Sequence, residues 1–259
     1  MKQQNKITEL FRKKSDKILS IYFSAGYPDL HSTKDIIRHL EASNVDLIEV
    51  GIPFSDPLAD GPTIQASGSI AIENGMNLKL LFEQLSEIKN SNTTPLVMMG
   101  YWNTVLQFGV ENFLQACQNV QVAGAILPDL PVGVYEREYL DLFEKYNIPL
   151  IFLISPNTSE ERIRKIDDLS HGFIYAVSSS STTGSKKGIE DAEEYLNRLQ
   201  SYSLKNPLIT GFNIKSKKDI DFACRYTQGV VIGSAFIKAL QKENSLEKNI
   251  KNFISDITN

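Results

Sequence analysis

The sequence predicts an α/β fold, a (β/α)8 TIM barrel in one domain over residues 1–259, and three observations predict it. Eight short apolar runs alternate with eight longer stretches whose apolar residues recur at helical spacing. The runs lack a strict polar alternation, as parallel strands covered on both faces should. The length of 259 residues suits eight strand–helix units closed into a ring. The alternative is an open doubly wound sheet. That fold would carry a glycine-rich fingerprint directly after its first strand, where this chain reads SAGYPDL.

In chain order, the polar residues 1–17 come first. Thr8, Leu10 and Phe11 there suggest an extra N-terminal helix that plugs the barrel bottom. Strands are expected over residues 18–24, 47–50, 96–99, 124–127, 150–154, 173–177, 208–211 and 230–232. Helices are expected over residues 32–42, 78–89, 110–118, 134–146, 159–168, 191–201, 217–225 and 246–257. In the fourth of these, Tyr139, Leu142, Phe143 and Tyr146 fall on one stripe. Ser32, Asn77, Ser159 and Ser245 stand where helix N-caps are needed.

Composition removes several classes of function. Lys plus Arg number 27 and Asp plus Glu 31, a net charge of −4, so neither nucleic acid nor an anionic membrane surface is an expected partner. No apolar run approaches the roughly 18 residues of a membrane span. The lysine-rich start has no apolar core of a secretory signal, so a cytoplasmic location is expected. The two cysteines, Cys117 and Cys224, lie far apart in helical stretches and read as free thiols. The histidines His31, His39 and His171 form no cluster with Cys or carboxylates, so no metal site is expected.

Barrel active sites lie on the loops that follow the strands, so the chemistry is sought there. The second strand ends in IEVGIPFSDPLADGPTIQAS. Glu49 is a carboxyl in an apolar strand, which costs desolvation free energy unless it is paired or used. Burial of that kind raises a carboxyl towards the range where it can serve as both acid and base. Asp56 and Asp60 follow in a loop stiffened by Pro53, Pro57 and Pro62, and a second carboxyl on the same cavity could divide the roles. The seventh and eighth strands end at Gly211 and Gly233, and Ser234 then opens a helix whose free N–H groups favour an anion such as phosphate. After the sixth strand, SSSSTTGSKKG at residues 178–188 suits a mobile lid in which the Gly184 backbone could reach that phosphate.

At IEVGIPFSDPLADGPTIQAS the sequence closely resembles the signature of the tryptophan synthase alpha chain family. SAGYP, GYWN, LPDLP, STTG, GF and GSA follow in family order after strands one, three, four, six, seven and eight, so the resemblance covers essentially the whole chain. It implies a lyase of L-tryptophan biosynthesis that cleaves indole-3-glycerol phosphate to indole and glyceraldehyde 3-phosphate by a retro-aldol reaction. By motif, Glu49 matches the family's acid–base, Asp60 the carboxylate at the indole N–H, and Thr183 the lid residue that meets Asp60 on closure. Gly184, Gly211, Phe212, Asn213, Gly233 and Ser234 align with phosphate-binding segments. Tyr22, Ile64, Leu127 and Phe212 fall where the family lines its indole pocket, and Tyr175 matches the tyrosine that orders the glutamate.

The resemblance further implies a pyridoxal-phosphate beta chain as partner in an alpha2-beta2 heterotetramer, with no cofactor in this chain itself. Asp56, Pro57, Asn103 and Asp129 fall on the implied docking face, to which Leu58 and Leu130 would add apolar surface. Three departures are visible. The lid lacks the Arg and Gly-Val many members carry, Asn213 stands where glycine is usual, and Tyr22 where several have Phe. Other readings stay open: a free-standing indole-releasing lyase, or a non-catalytic ligand-binding activator of a beta chain. The synthase that makes indole-glycerol phosphate is disfavoured, since no lysine stands at an expected strand end.

Overall fold

The computed structural model describes residues 5–177, 193–211, 214–242 and 244–259. Nine parallel strands form one nearly closed sheet. They are β1 (Ile18–Ser24), β2 (Leu47–Gly51), β3 (Leu96–Met99), β4 (Gly124–Ile126), β5 (Leu150–Ile151), β6 (Leu153–Ile154), β7 (Ile174–Val177), β8 (Leu208–Gly211) and β9 (Gly229–Ile232). Their spatial order is β5-β4-β3-β2-β1-β9-β8-β7-β6, so the sheet's two edges are consecutive in the chain. The fifth expected strand is broken at Phe152. Its first half pairs with β4 and its second half with β7, and the Tyr175 N–H donates to the Phe152 carbonyl at 2.9 Å. The ring therefore closes through one residue, and the nine segments amount to the eight strands of a TIM barrel.

Every residue of β1, β2, β8 and β9 is buried, because helices cover the sheet outside and side chains fill it inside. The extra N-terminal helix is present as Lys6–Lys13, capped by the Asn5 side chain, which accepts from the Ile7 N–H. The Asn5 side chain also donates to the Ala123 carbonyl at 2.9 Å. Ile7 is fully buried and packs so closely on the first residue of β4 that a Cβ on Gly124 would lie 3.0 Å from it. Phe11 meets Phe173 with ring centroids 5.9 Å apart. Both contacts are at strand starts, so this helix seals the barrel bottom and leaves the other end for the site.

Local structure departs from the expectations in places. Asn77, Ser159 and Ser245 cap their helices through side-chain oxygens. Ser32 does not. A turn brings its N–H to the Asp29 carbonyl, so Ser32 is already the first helical residue and His31 holds the cap position. The stretch expected as one helix over 134–146 is Val132–Val134, a π-helical turn Tyr135–Tyr139, and Leu140–Lys145. That turn changes the phase of the helix. Tyr135 and Phe143 become the buried pair, 5.3 Å between ring centroids, while Tyr139, Leu142 and Tyr146 are only half-buried. The helices Pro62–Glu73 and Trp102–Phe108 follow the two loops that carry the site.

Candidate active site

Strand β2 reads LIEVG, and alternation places Glu49 on the same sheet face as Leu47 and Gly51. Across the ladder Glu49 pairs with Tyr22 on β1 and Val97 on β3. Glu49 is fully buried. The Ser20 hydroxyl donates to its Oε1 at 2.8 Å, and Oε2 has no hydrogen-bond partner among the described residues. Burial pushes the carboxyl up to about 7, against the opposing effect of the Ser20 hydrogen bond.

Asp60 lies in the loop after β2. Burial pushes it up to about 6, opposed by the Tyr101 hydroxyl, which donates to Asp60 Oδ2 at 3.1 Å. Tyr101 also accepts from the Ala59 N–H at 3.0 Å and stacks on Phe54 at 5.0 Å between ring centroids. The Gln65 side chain donates to the Asp60 carbonyl at 2.8 Å. The carboxyl is thus placed by the residue after Gly100 and by the helix that follows its own loop.

Two tyrosines complete the group. Tyr22 is raised above its usual range by burial and then by the Asp60 and Glu49 charges. Tyr175 is raised by burial and then by Glu49, Asp60 and Tyr22. Both feel both carboxyls, so the four groups share one end of the barrel. Each tyrosine lies over a glycine on the neighbouring strand. A Cβ on Gly51 would collide with the Tyr22 hydroxyl, and one on Gly211 with the Tyr175 hydroxyl. Gly211 therefore has a packing role that its place at a strand end does not reveal. A Cβ on Gly233 would lie 3.3 Å from the Tyr22 ring, and Gly233 is the N-cap of helix Ser234–Leu240.

A narrow cleft opens here, walled by Tyr22, Ile52, Asp60, Met99, Tyr101 and Pro128. Ile52 and Met99 were not singled out from the sequence, and Tyr101 and Pro128 were seen only as parts of the GYWN and LPDLP segments. They are apolar or aromatic residues at strand ends, and that place was the available signal. Ile64 and Leu127 are not on these walls; Ile64 is half-buried on its helix and Leu127 is buried beyond β4. Thr183, Gly184, Phe212 and Asn213, and the whole expected lid at 178–188, lie outside the described residues. A larger hollow of about 960 Å³ sits at the opposite end, against the N-terminal helix. It has neither Glu49 nor Asp60 on its walls, so its size does not mark the chemistry.

On the rim, Asp56, Asn103 and Asp129 are exposed, and Pro57 is half-buried. Asp129 Oδ1 accepts from the Trp102 N–H at 2.8 Å, tying the loops after β3 and β4 together. Leu58 is 87 % exposed. Leu130 is only 4 % exposed, contrary to expectation, because its N–H turns back to the Leu127 carbonyl and the side chain joins the core. Among the described residues no group of three or more His, Cys, Asp or Glu could hold a metal ion. Cys117 and Cys224 are free. No helix among the described residues is long and apolar enough to cross a membrane.

Comparison with known proteins places this geometry. A family model described as "Tryptophan synthase alpha chain" matches residues 9–258. A tryptophan synthase alpha chain of Flavobacterium psychrophilum is 54 % identical over 242 residues, covering 93 % of this chain and 95 % of the relative. One from Flavobacterium johnsoniae is 52 % identical over 254 residues, covering 98 % of this chain and 99 % of the relative. Among solved structures, a chain of tryptophan synthase from M. tuberculosis in its aminoacrylate-bound form superposes with a TM-score of 0.85 at 28 % identity, covering 98 % of this chain and 100 % of that one. A mutant alpha-subunit from Pyrococcus furiosus gives 0.85 at 34 % identity, over 93 % and 98 % of the two chains.

Proposed function

The chain belongs to the tryptophan synthase alpha chain family, and from that premise we propose which of its groups perform the reaction. As a member it is a lyase of L-tryptophan biosynthesis that cleaves indole-3-glycerol phosphate to indole and glyceraldehyde 3-phosphate. The assignment of groups rests on one observation: two carboxyls, both raised by burial, share the C-terminal end of the barrel.

Glu49 is the acid–base. Its neutral form gives a proton to indole C3, which turns the ring into an electron sink. The hydroxyl on the adjoining glycerol carbon then returns a proton to the carboxylate. As it does so, its oxygen forms the aldehyde C=O and the carbon–carbon pair flows into the ring. Protons balance, and Glu49 ends as it began. A carboxyl near 7 populates both states at neutral pH, the condition for efficient transfer. Asp60 takes the positive charge that develops at the indole N–H, within reach of the cleft formed by Tyr22, Met99 and Pro128. Tyr175 orders Glu49. Tyr22 lines the indole side of the cleft, while Ile64, Leu127 and Thr183 keep only the roles their motif positions imply.

The substrate phosphate is held by Gly211, Gly233 and Ser234 together with Gly184, Phe212 and Asn213, in the family pattern. Binding energy from that remote group holds the reacting end in place. No cofactor is used by this chain. Its partner is a beta chain, which carries the pyridoxal phosphate, in an alpha2-beta2 heterotetramer of the cytoplasm. The docking face comprises Asp56, Pro57, Asn103 and Asp129, with Leu58 presenting apolar surface at 87 % exposure. The chain acts as one domain.

Indole release from indole-3-glycerol phosphate, with and without a beta chain, tests the assignment. Glu49→Gln should abolish release while a phosphate-ester ligand still binds. Near-wild-type turnover by that variant would remove Glu49 from the mechanism. Slow release alone and fast release with the beta chain is the expected behaviour of the wild type.

A further inference from the structure

Ser20 supports an inference that rests on the acid–base reading of Glu49. It is the third residue of β1, and alternation puts Ser20, Tyr22 and Ser24 on one face. The register pairs Ser20 with Leu47 and Tyr22 with Glu49, so Ser20 stands one layer below the carboxyl, toward the barrel bottom. Its hydroxyl is fully buried, where an unpaired donor is costly. Among the described residues its partner is Glu49 Oε1, at 2.8 Å.

That contact makes the two carboxyl oxygens unequal. Oε1 is tethered from below by a donor. Oε2 has no partner among the described residues. A carboxyl with one oxygen occupied by a donor carries its acid proton on the other. We propose that Ser20 is a positioning residue, which fixes the rotation of the Glu49 carboxyl and reserves Oε2 as the atom that exchanges protons with the substrate.

Tyr175 borders the carboxyl without a hydrogen bond to it among the described residues, so the directional contact comes from Ser20. Among the described residues, the titratable groups that feel Glu49 are Tyr22 beside it on β1 and Tyr175 on β7, and both also feel Asp60 from the loop after β2. On β3 its cross-strand neighbour is the apolar Val97. Among the described residues no cation contributes to its state, and the Ser20 hydrogen bond is the influence that opposes burial. Loss of the hydroxyl should therefore free the carboxyl to rotate and move its titration upward.

The test uses the full chain with its beta partner in excess. Ser20→Ala and Ser20→Thr are compared with wild type and Glu49→Gln. Two quantities are read from pH 5 to 9, in steps of about half a unit: kcat and KM for indole release, and the infrared C=O band of protonated Glu49, identified by its loss in Glu49→Gln. For Ser20→Ala, kcat should fall about ten-fold with KM nearly unchanged. The Glu49 midpoint should rise by roughly one pH unit in both readouts. Its C=O band should move to the frequency of a carboxyl free of hydrogen bonds. Ser20→Thr, which keeps the hydroxyl, should return midpoint and band toward wild type. A Ser20→Ala protein whose midpoint and band match wild type overturns the proposal, even if kcat is lower, since that is the mark of a packing defect. So does a folded Ser20→Thr protein that behaves like the alanine variant. An active Glu49→Gln protein would instead remove the underlying acid–base reading.

Discussion

Two buried acids at opposite ends of the barrel have been given opposite surroundings. Asp167, 6 % exposed, sits on helix Glu160–Leu169 near the bottom. Its carboxylate accepts from the Lys205 N–H at 2.8 Å, the Asn206 N–H at 3.0 Å and the Asn206 side chain at 2.9 Å. Glu49, fully buried near the mouth, accepts one hydrogen bond and leaves one oxygen unpartnered among the described residues. The difference separates two uses of the same functional group. A carboxylate with its lone pairs filled by backbone N–H groups fastens a turn ahead of β8. A carboxyl left half-satisfied is a reservoir of reactivity held in place by the fold around it.

The largest effects should come from breaking the mouth. Glu49→Gln should lower kcat for indole release by about 10³-fold or more, and Asp60→Asn by about 10²-fold, in steady-state assays of variants that remain folded. Asp167→Asn assayed in parallel should leave kcat within about two-fold, and a large loss there would erase the contrast.

The pH dependence of stability sharpens the comparison. Glu49 stands at about 7 when folded against an ordinary value of 4.5. Below pH 4.5 it is neutral in both states and costs nothing. As pH rises from there to 7 the unfolded chain ionises first, so stability falls, and above 7 the loss is complete. The shift corresponds to about 3 kcal/mol. Denaturant melts at pH 5 and pH 8 should show that decline in wild type and a much shallower one in Glu49→Gln. An unchanged slope would mean that burial of Glu49 does not raise it.

At the bottom, Asp167→Ala should cost about 2 kcal/mol in urea melts, because it strands two backbone N–H groups. A neutral result would mean that water replaces the carboxylate there. The smallest loss expected at the mouth is at Tyr101. Tyr101→Phe removes the hydroxyl that donates to Asp60, so the Asp60 midpoint should rise and kcat should fall by about five-fold. A pH–rate profile that overlays wild type would show that Tyr101 only packs.

Strand positions were legible because apolar runs between polar stretches leave few alternatives; β1, β3 and β8 have the bounds expected of them. The break at Phe152 was not, since a change of hydrogen-bonding neighbour leaves no trace in side-chain polarity. Glu49 stood out because a carboxyl inside an apolar strand has an energetic cost visible from sequence alone. Ser20, Tyr101 and Asp167 did not. A serine in a strand, a tyrosine after one and an aspartate on a helix acquire meaning only once register and packing bring them to a partner. Leu130 misled for a related reason, since an apolar residue in a loop turns inward or outward according to contacts far off in sequence.

The helix Lys6–Lys13 separates two properties that protein engineers usually find entangled. It clamps the barrel through Asn5, Ile7 and Phe11, all at strand starts, a full barrel length from the carboxyls. Thermal tolerance can therefore be tuned at its exposed positions, Arg12 and Lys13, without disturbing the groups that move protons. The two ends of the cylinder thus carry separate duties, fastening at one and proton transfer at the other.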